Sequence, residues 1–335
     1  MAKPKVLVTR KIPPPGLEIV SEYCDLDLYE GYEPIPNAEL LSRIRDKDGL
    51  LCLLTDKIDK SVYDASPRLR VVSSYSVGCE HIDVDEATKR RIYVTNTPGV
   101  LTEATADLTW ALLMATARRI VEADSFVRKG LWKHWHPELM LGHEVHDKVL
   151  GIIGLGRIGE AVARRAKGFK MKILYYDKIR KRDLEEQLGA EYKDLEDLLK
   201  ESDFVTIHVS LNPDTYHLIN ESRLKLMRSS TILLNAARGP VIDQKALAKA
   251  LKEGRIAGAG LDVYEKEPID LDDDLMRLYN VVLLPHIGSA EIETRSKMAE
   301  LAARNLISVL KGQMPPHLVN PEVLKLRPLS DVKMM

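Results

Sequence analysis

Short apolar runs alternate with longer amphipathic stretches along this chain, the pattern of parallel strands joined by helices. Before residue 99, apolar runs at 6–9, 49–55, 71–74 and 92–95 predict strands, and 25–30 predicts a weaker one. Helices are expected from the proline-rich stretch 12–16 onward, over 37–45 and over 85–91. A second set begins after Asn96-Thr97-Pro98-Gly99, with Thr102 as the expected N-cap of one long apolar helix reaching Ile120. Residues 149–153 have no polar face and read as a central strand. Further strands are expected at 172–176, 204–209, 231–234, 257–261 and 281–284, and helices at 157–168 and 290–311, before a polar tail with prolines at 315, 316 and 321.

The run at 149–153 leads directly into Gly154-Leu155-Gly156-Arg157-Ile158-Gly159, and helix formers follow. A lone G-x-G-x-x-G is a weak signal, but a strand before it and a helix after it make it a dinucleotide fingerprint. The first glycine permits the tight turn, the second lets backbone approach a pyrophosphate, and the third lets helix pack on strand. Asp177 stands 18 residues after Gly159, at the end of the next strand. An acid there accepts hydrogen bonds from ribose hydroxyls and repels a 2′-phosphate, which favours NAD(H). Lys178, Arg180 and Lys181 follow it and leave NADP(H) open.

Three chemistry-bearing residues each stand just beyond an expected strand: Arg238 in Asn235-Ala236-Ala237-Arg238-Gly239, Glu267 in the stretch from Asp262, and His286 in Pro285-His286-Ile287-Gly288. Carboxyl ends of parallel strands line the crevice where ligands bind. Arginine clamps a carboxylate and polarises the carbonyl beside it. Histidine gives a proton to that oxygen as hydride reaches carbon, and a neighbouring carboxylate favours the imidazolium. Singly, each residue reads more readily as a structural or surface side chain than as a catalyst. Together, behind a dinucleotide fingerprint, they suit reduction of a 2-oxo acid.

Composition narrows the classes. The 335 residues suggest about two domains. Lys plus Arg is 49 against 50 for Asp plus Glu, which lacks the basic excess of a nucleic-acid binder or a polybasic membrane anchor. Three cysteines with no C-x-x-C pair fit neither a disulfide framework nor a zinc site and suit a reducing compartment. No apolar run approaches the roughly 20 residues of a membrane helix, so a cytoplasmic protein is expected. His134, His136, His143 and His146 cluster in sequence, but His143-Glu144-Val145-His146 is one residue short of H-E-x-x-H, and no metal is expected.

From Val6 to about Asn320 the chain resembles the D-isomer-specific 2-hydroxyacid dehydrogenase family. The glycine fingerprint, N-A-A-R-G at Arg238, G-L-D-V-Y-E-K-E-P through Glu267 and P-H-I-G-S at His286 follow the family's order. The resemblance implies two doubly wound parallel-sheet (Rossmann/flavodoxin-like) domains with the active site in the interdomain cleft. The substrate-binding domain would be discontinuous, 1–99 and 288–335, and the NAD(P)-binding domain would span 100–287. It implies Arg238 as substrate ligand, His286 as acid/base and Glu267 as its partner. Asp262 matches the acid that meets the nicotinamide carboxamide, and Thr105 a cofactor-contacting threonine. Val209, Ser210 and Thr215 match an adenine-side loop, although the family commonly has proline at Ser210. Ala236, Ala237 and Gly288 join the fingerprint residues and Lys178 as implied cofactor contacts. Val77 and Gly78 match the loop whose amides hold the substrate carboxylate, and Leu53 is a pocket candidate.

Within the family, Ser76–Asp83 as a loop, the T-x-x-T-A-D start at Thr102 and Trp132-Lys133-His134-Trp135 resemble the glyoxylate/hydroxypyruvate reductases. That branch implies a homodimer, with Trp135 the candidate to reach a neighbouring subunit's site. Its members often have Ser or Gly at Asp177, so their cofactor preference does not transfer. The expectation is reduction of glyoxylate or hydroxypyruvate. A D-lactate-type dehydrogenase and an NAD-sensing binding protein of the same fold are the alternatives.

Overall fold

The structure, a computed structural model, describes residues 3–335. Residues up to Leu101 together with Ala290–Met335 form one unit, and Thr102–Ser289 form another.

The first unit is a five-stranded parallel sheet of β1 (Lys5–Val8), β2 (Asp25–Leu28), β3 (Gly49–Cys52), β4 (Val71–Ser74) and β5 (Tyr93–Thr95), in the order β2-β1-β3-β4-β5. β3 and β4 are buried along their whole length, as expected for strands covered by helices on both faces. The helix Pro14–Tyr23 packs on the helix Ile292–Leu310. A Cβ at Gly16 would lie 2.7 Å from the Ala299 carbonyl oxygen, so only glycine permits this approach. The segment read as a polar tail is built into the unit instead. Val323 and Val332 are fully buried. Asn320 Oδ1 accepts the Val94 N–H at 2.8 Å, and its Nδ2 donates to Thr88 Oγ1 and the Ile92 carbonyl.

The second unit is a seven-stranded parallel sheet of β6 (Val149–Ile153), β7 (Lys172–Tyr176), β8 (Ala190–Tyr192), β9 (Phe204–Ile207), β10 (Ile232–Asn235), β11 (Gly258–Leu261) and β12 (Val281–Leu283). The order is β12-β11-β10-β9-β6-β7-β8. β6 is interior, as its apolar run predicts. Strand order reverses between β6 and β9, and such a switch point opens a crevice at the carboxyl ends. The sequence pattern misses β8, a three-residue edge strand too short to show a period.

The helix starting at Thr102 corrects another expectation. It spans Thr102–Ala117, with Thr102 as its first residue. Arg119 then takes a left-handed φ of 54°, and a separate helix runs from Ile120 to Arg128 with no buried residue. The first helix packs on β10 and β11. Glycines in β11 make room: a Cβ at Gly260 would stand 2.7 Å from Leu112 Cγ. Strands also end earlier than their apolar runs. After β3 the Leu53 N–H bonds Asp56 Oδ2 at 2.8 Å, which turns the chain out of the sheet.

Candidate active site

The glycine fingerprint and the residues of the expected catalytic set all leave the carboxyl ends of strands in the second unit. Gly154, after β6, has φ 94°, and a Cβ there would lie 2.8 Å from the His208 carbonyl. A Cβ at Gly159 would come within 2.1 Å of the Gly154 carbonyl oxygen. Gly156, at the N-cap of the helix Arg157–Ala166, has nothing within 4 Å of its would-be Cβ. Two glycines are thus demanded by packing. The middle one faces open space at a helix N-terminus, where a pyrophosphate is accommodated. The residues therefore fit a dinucleotide. Gly156→Ala is expected to leave the melting temperature of the unliganded protein unchanged while weakening NADH binding by about tenfold or more. Paired thermal melts and fluorescence titrations would check this.

Asp177 follows β7. Its Oδ2 accepts the Leu155 N–H at 2.9 Å and its Oδ1 the Ile179 N–H at 3.2 Å. The carboxylate is thereby tied to the glycine turn. Lys178 Nζ bonds Asp214 Oδ2 at 2.5 Å, and Arg180 bonds both carboxylate oxygens of Glu185 at 2.8 and 2.9 Å. Beyond β9, the Val209 side chain borders Gly154. Thr215 Oγ1 accepts the Asn212 N–H and donates to the Ser210 carbonyl, so the Ser210–Thr215 turn braces itself.

After β10, the buried Asn235 folds the next turn. Its Oδ1 accepts the Ala237 N–H at 3.0 Å and its Nδ2 donates to the Arg238 carbonyl at 2.9 Å. Gly239 then presses on the chain after β11: a Cβ there would overlap Tyr264 C and O at 1.8 Å. That contact brings the Arg238 turn against the segment carrying Glu267. Glu267 Oε1 accepts the Tyr264 N–H at 3.1 Å, and its Oε2 lies 2.6 Å from His286 Nδ1. Burial pushes the Glu267 carboxyl up, but the His286 ring, the Tyr264 amide and the Arg238 guanidinium outweigh it and hold it below the ordinary 4.5. A carboxyl lowered on folding stabilises the fold above its unfolded value, and this stabilisation is lost as pH falls through the folded value. The melting-temperature gap between wild type and Glu267→Gln should therefore narrow as pH drops below about 4.5, which calorimetry across pH 3–7 would read.

His286 itself has a left-handed φ of 54°. Asp262, after β11, clamps the residues that follow it: Oδ1 accepts the Ile287 N–H at 2.8 Å and Oδ2 the Gly288 N–H at 2.7 Å. Burial raises the Asp262 carboxyl against the pull of those two amides. Thr105 lies beside Gly288. Sequence reading missed Asn235 and Tyr264, which shape the turns; the asparagine opening N-A-A-R-G was the available signal.

In the first unit, Leu53 and the Val77-Gly78 pair lie just beyond β3 and β4. Trp135 is 76 % exposed on a segment without regular structure. Among the described residues, His134, His136, His143 and His146 form no group that could ligate a metal, while His217, Asp243 and Glu265 do approach one another. Their contacts cap the helix Gln244–Lys252: Asp243 Oδ1 accepts the Ala246 N–H and Glu265 Oε1 the Gln244 N–H. No helix is long and apolar enough to cross a membrane among the described residues.

Residues 110–288 match the family model of the D-isomer specific 2-hydroxyacid dehydrogenase NAD binding domain. The chain belongs to the D-isomer specific 2-hydroxyacid dehydrogenase family. Its cofactor is accordingly a nicotinamide dinucleotide. The glyoxylate reductase of Korarchaeum cryptofilum is 59 % identical over 327 residues, covering 97 % of this chain and 98 % of its own. That of Thermofilum pendens is 58 % identical over the whole of both chains. Among solved structures, a protein from Thermus thermophilus aligns with a TM-score of 0.90 at 47 % identity, over 94 % of this chain and 99 % of that one. The NADPH-dependent glyoxylate/hydroxypyruvate reductase of Sinorhizobium meliloti, in complex with NADP and malonate, aligns at 0.86 and 34 % identity, over 96 % of this chain and 98 % of its own.

Proposed function

We propose that this dehydrogenase reduces glyoxylate to glycolate and hydroxypyruvate to D-glycerate, with His286 as the proton donor. The observation that carries the mechanism is the 2.6 Å contact between His286 Nδ1 and Glu267 Oε2 beyond β11 and β12, on the strand ends that also carry Arg238. With Nδ1 committed to the carboxylate, Nε2 is the ring nitrogen left to face substrate. Glu267 fixes the ring's orientation. In the second unit Arg238 serves as substrate ligand and polarises the 2-oxo group. For the first unit, the Val77 and Gly78 amides are proposed as ligands of the substrate carboxylate and Leu53 as a limit on the side chain accepted. A bound reduced nicotinamide would supply the hydride that C2 receives. His286 Nε2 gives its proton to the carbonyl oxygen, so the 2-hydroxy acid leaves neutral at that oxygen and the imidazole takes its next proton from water.

NADH is the preferred cofactor on this reading. Asp177 places a carboxylate where a 2′-phosphate would sit, and Lys178 and Arg180 are each already paired with an acid. The Sinorhizobium neighbour, named as NADPH-dependent, thus differs in preference. Gly154 to Gly159 hold the pyrophosphate, Thr215 and Val209 border the adenine side, and Asp262 meets the carboxamide with the lone pairs its two amide bonds leave.

The working form is a homodimer. The helix Ile120–Arg128 buries no residue, and Ile120, Val121, Val127, Leu131, Trp132 and Trp135 are all at least half exposed. Exposed apolar side chains gathered on one stretch of chain suit a protein interface, and a second copy of the chain is its occupant, with Trp135 directed to the partner. Light scattering would read twice the 37.8 kDa chain mass. A cytoplasmic location suits a chain whose three cysteines include no C-x-x-C pair.

The deciding experiment follows absorbance of NADH, then NADPH, with glyoxylate, hydroxypyruvate and pyruvate. Fast NADH loss with the first two, slower loss with pyruvate and slower use of NADPH are expected. No turnover despite cofactor binding would overturn the reading.

A further inference from the structure

After β4 the chain runs Tyr75-Ser76-Val77-Gly78 past the carboxyl end of the first sheet. Three successive carbonyls are pinned here. Ser76 O accepts the Thr97 N–H at 2.9 Å. Val77 O accepts Asn96 Nδ2 at 2.7 Å. Gly78 O accepts the hydroxyl of its neighbour Ser76 at 2.6 Å. A trans peptide is planar, so its C=O and its N–H point in opposite directions. Fixing Ser76 O therefore aims the Val77 N–H, and fixing Val77 O aims the Gly78 N–H. Both of these carbonyls face the same short segment, Asn96-Thr97. Each amide consequently points away from the group that holds the carbonyl of its own peptide. Neither amide donates to another group among the described residues. Two adjacent backbone N–H groups at a bend, both without a partner among the described residues, are the parts of an anion-binding nest.

The two pins are not alike. Thr97 uses a backbone amide, which any residue but proline supplies. Asn96 uses its side chain, which only a few residue types match. Asn96 is itself held: the fully buried Asn305 donates from Nδ2 to the Asn96 carbonyl at 2.8 Å and accepts the His317 N–H at 3.0 Å. Within the turn, Ser74 Oγ meets Ser76 Oγ at 2.6 Å and His81 Nε2 at 3.2 Å, so polar contacts brace it beside the buried Tyr75. Without Asn96 the Val77 peptide is the one carbonyl of the three with no anchor, and it can rotate to present oxygen where the nest presents N–H.

We infer that Asn96 is a positioning residue for substrate: its side-chain amide locks the Val77–Gly78 peptide so that the Gly78 N–H is offered to the substrate carboxylate. This rests on the reading that the Val77 and Gly78 amides take that carboxylate. Asn96 touches neither hydride nor proton transfer, so its loss acts on substrate binding.

The test compares Asn96→Ala, which removes the donor, Asn96→Asp, which keeps the shape but cannot donate, and Gly78→Pro, which deletes the amide itself. KM for glyoxylate, kcat, inhibition by oxamate, NADH affinity and melting temperature are measured on each full-length enzyme. Both Asn96 variants should raise KM for glyoxylate and weaken oxamate by about tenfold or more, with kcat changed far less and NADH affinity unchanged. Unchanged KM in both, with a raised KM in Gly78→Pro, would overturn the role of Asn96 and leave the nest standing. Unchanged KM in all three would overturn the carboxylate reading itself. If Asn96→Ala does not fold, Asn96→Asp decides. Parallel losses of NADH affinity and melting temperature in both would make Asn96 merely structural and also overturn the inference.

Discussion

Replacing His286 with alanine should lower kcat for glyoxylate by about 10²–10⁴-fold, the range that a positioned general acid supplies, while NADH binding survives. The loss follows from the geometry of one side chain. Nδ1 is held at 2.6 Å by Glu267, so the ring is a fixed donor at the carboxyl end of β12 and water would have to replace it without that orientation. Survival of NADH binding follows from the backbone. The loop after residue 286 is fixed by Asp262 through the Ile287 and Gly288 amides, and neither bond involves the histidine. Histidine and alanine both meet the left-handed φ of 54° at this position, so the substitution adds little backbone strain, and any fall in melting temperature comes from the lost contact with Glu267. Steady-state kinetics beside fluorescence titration of NADH separates the two effects. Wild-type turnover in this variant would remove His286 from the proposed mechanism.

Gly239→Ala should be the most damaging single methyl in the second unit. The added carbon would fall 1.8 Å from the backbone of Tyr264, where neither partner is a flexible side chain that can swing away. The strain lies at or beyond the upper end of the ~1–3 kcal/mol usual for overpacking. Relief requires the turn with Arg238 and the segment with Tyr264 and Glu267 to part. Misplacement of about 1 Å at reacting groups costs on the order of 10²-fold in rate. Both melting temperature and kcat/KM should therefore fall, and substrate affinity with them, because Arg238 is displaced. Gly156→Ala offers the contrast, since open space surrounds that position and only the cofactor titration should respond. Unchanged kcat/KM in Gly239→Ala would show that the two segments are less tightly coupled than their contact implies.

Much of the molecule is legible before any coordinates. Strands buried on both faces announce themselves as unbroken apolar runs, which is why β3 and β6 are readable. The glycine fingerprint carries its own mechanism, and the motif order around Arg238, Glu267 and His286 names the family. Where reading fails, the deciding force is not local. The expected single helix to Ile120 breaks at Arg119 because a left-handed residue intervenes there, and helix propensity is silent about it. β8 is an edge strand of three residues held by its pairing with β7. The C-terminal segment reads as polar because only scattered apolar residues, such as Val323 and Val332, carry its docking.

The sequence by itself determined the fold class, the dinucleotide turn and the identity of the chemical groups, because strand period, glycine spacing and residue type are local properties of the chain. The distances at which those groups meet come from the packing of the whole chain. The 2.6 Å approach of Glu267 to His286, the pairing of Lys178 with Asp214 and the anchoring of the Val77 carbonyl by Asn96 each join residues at least 19 positions apart. Distances of that kind are set by how strands order and helices pack, and no local pattern encodes them.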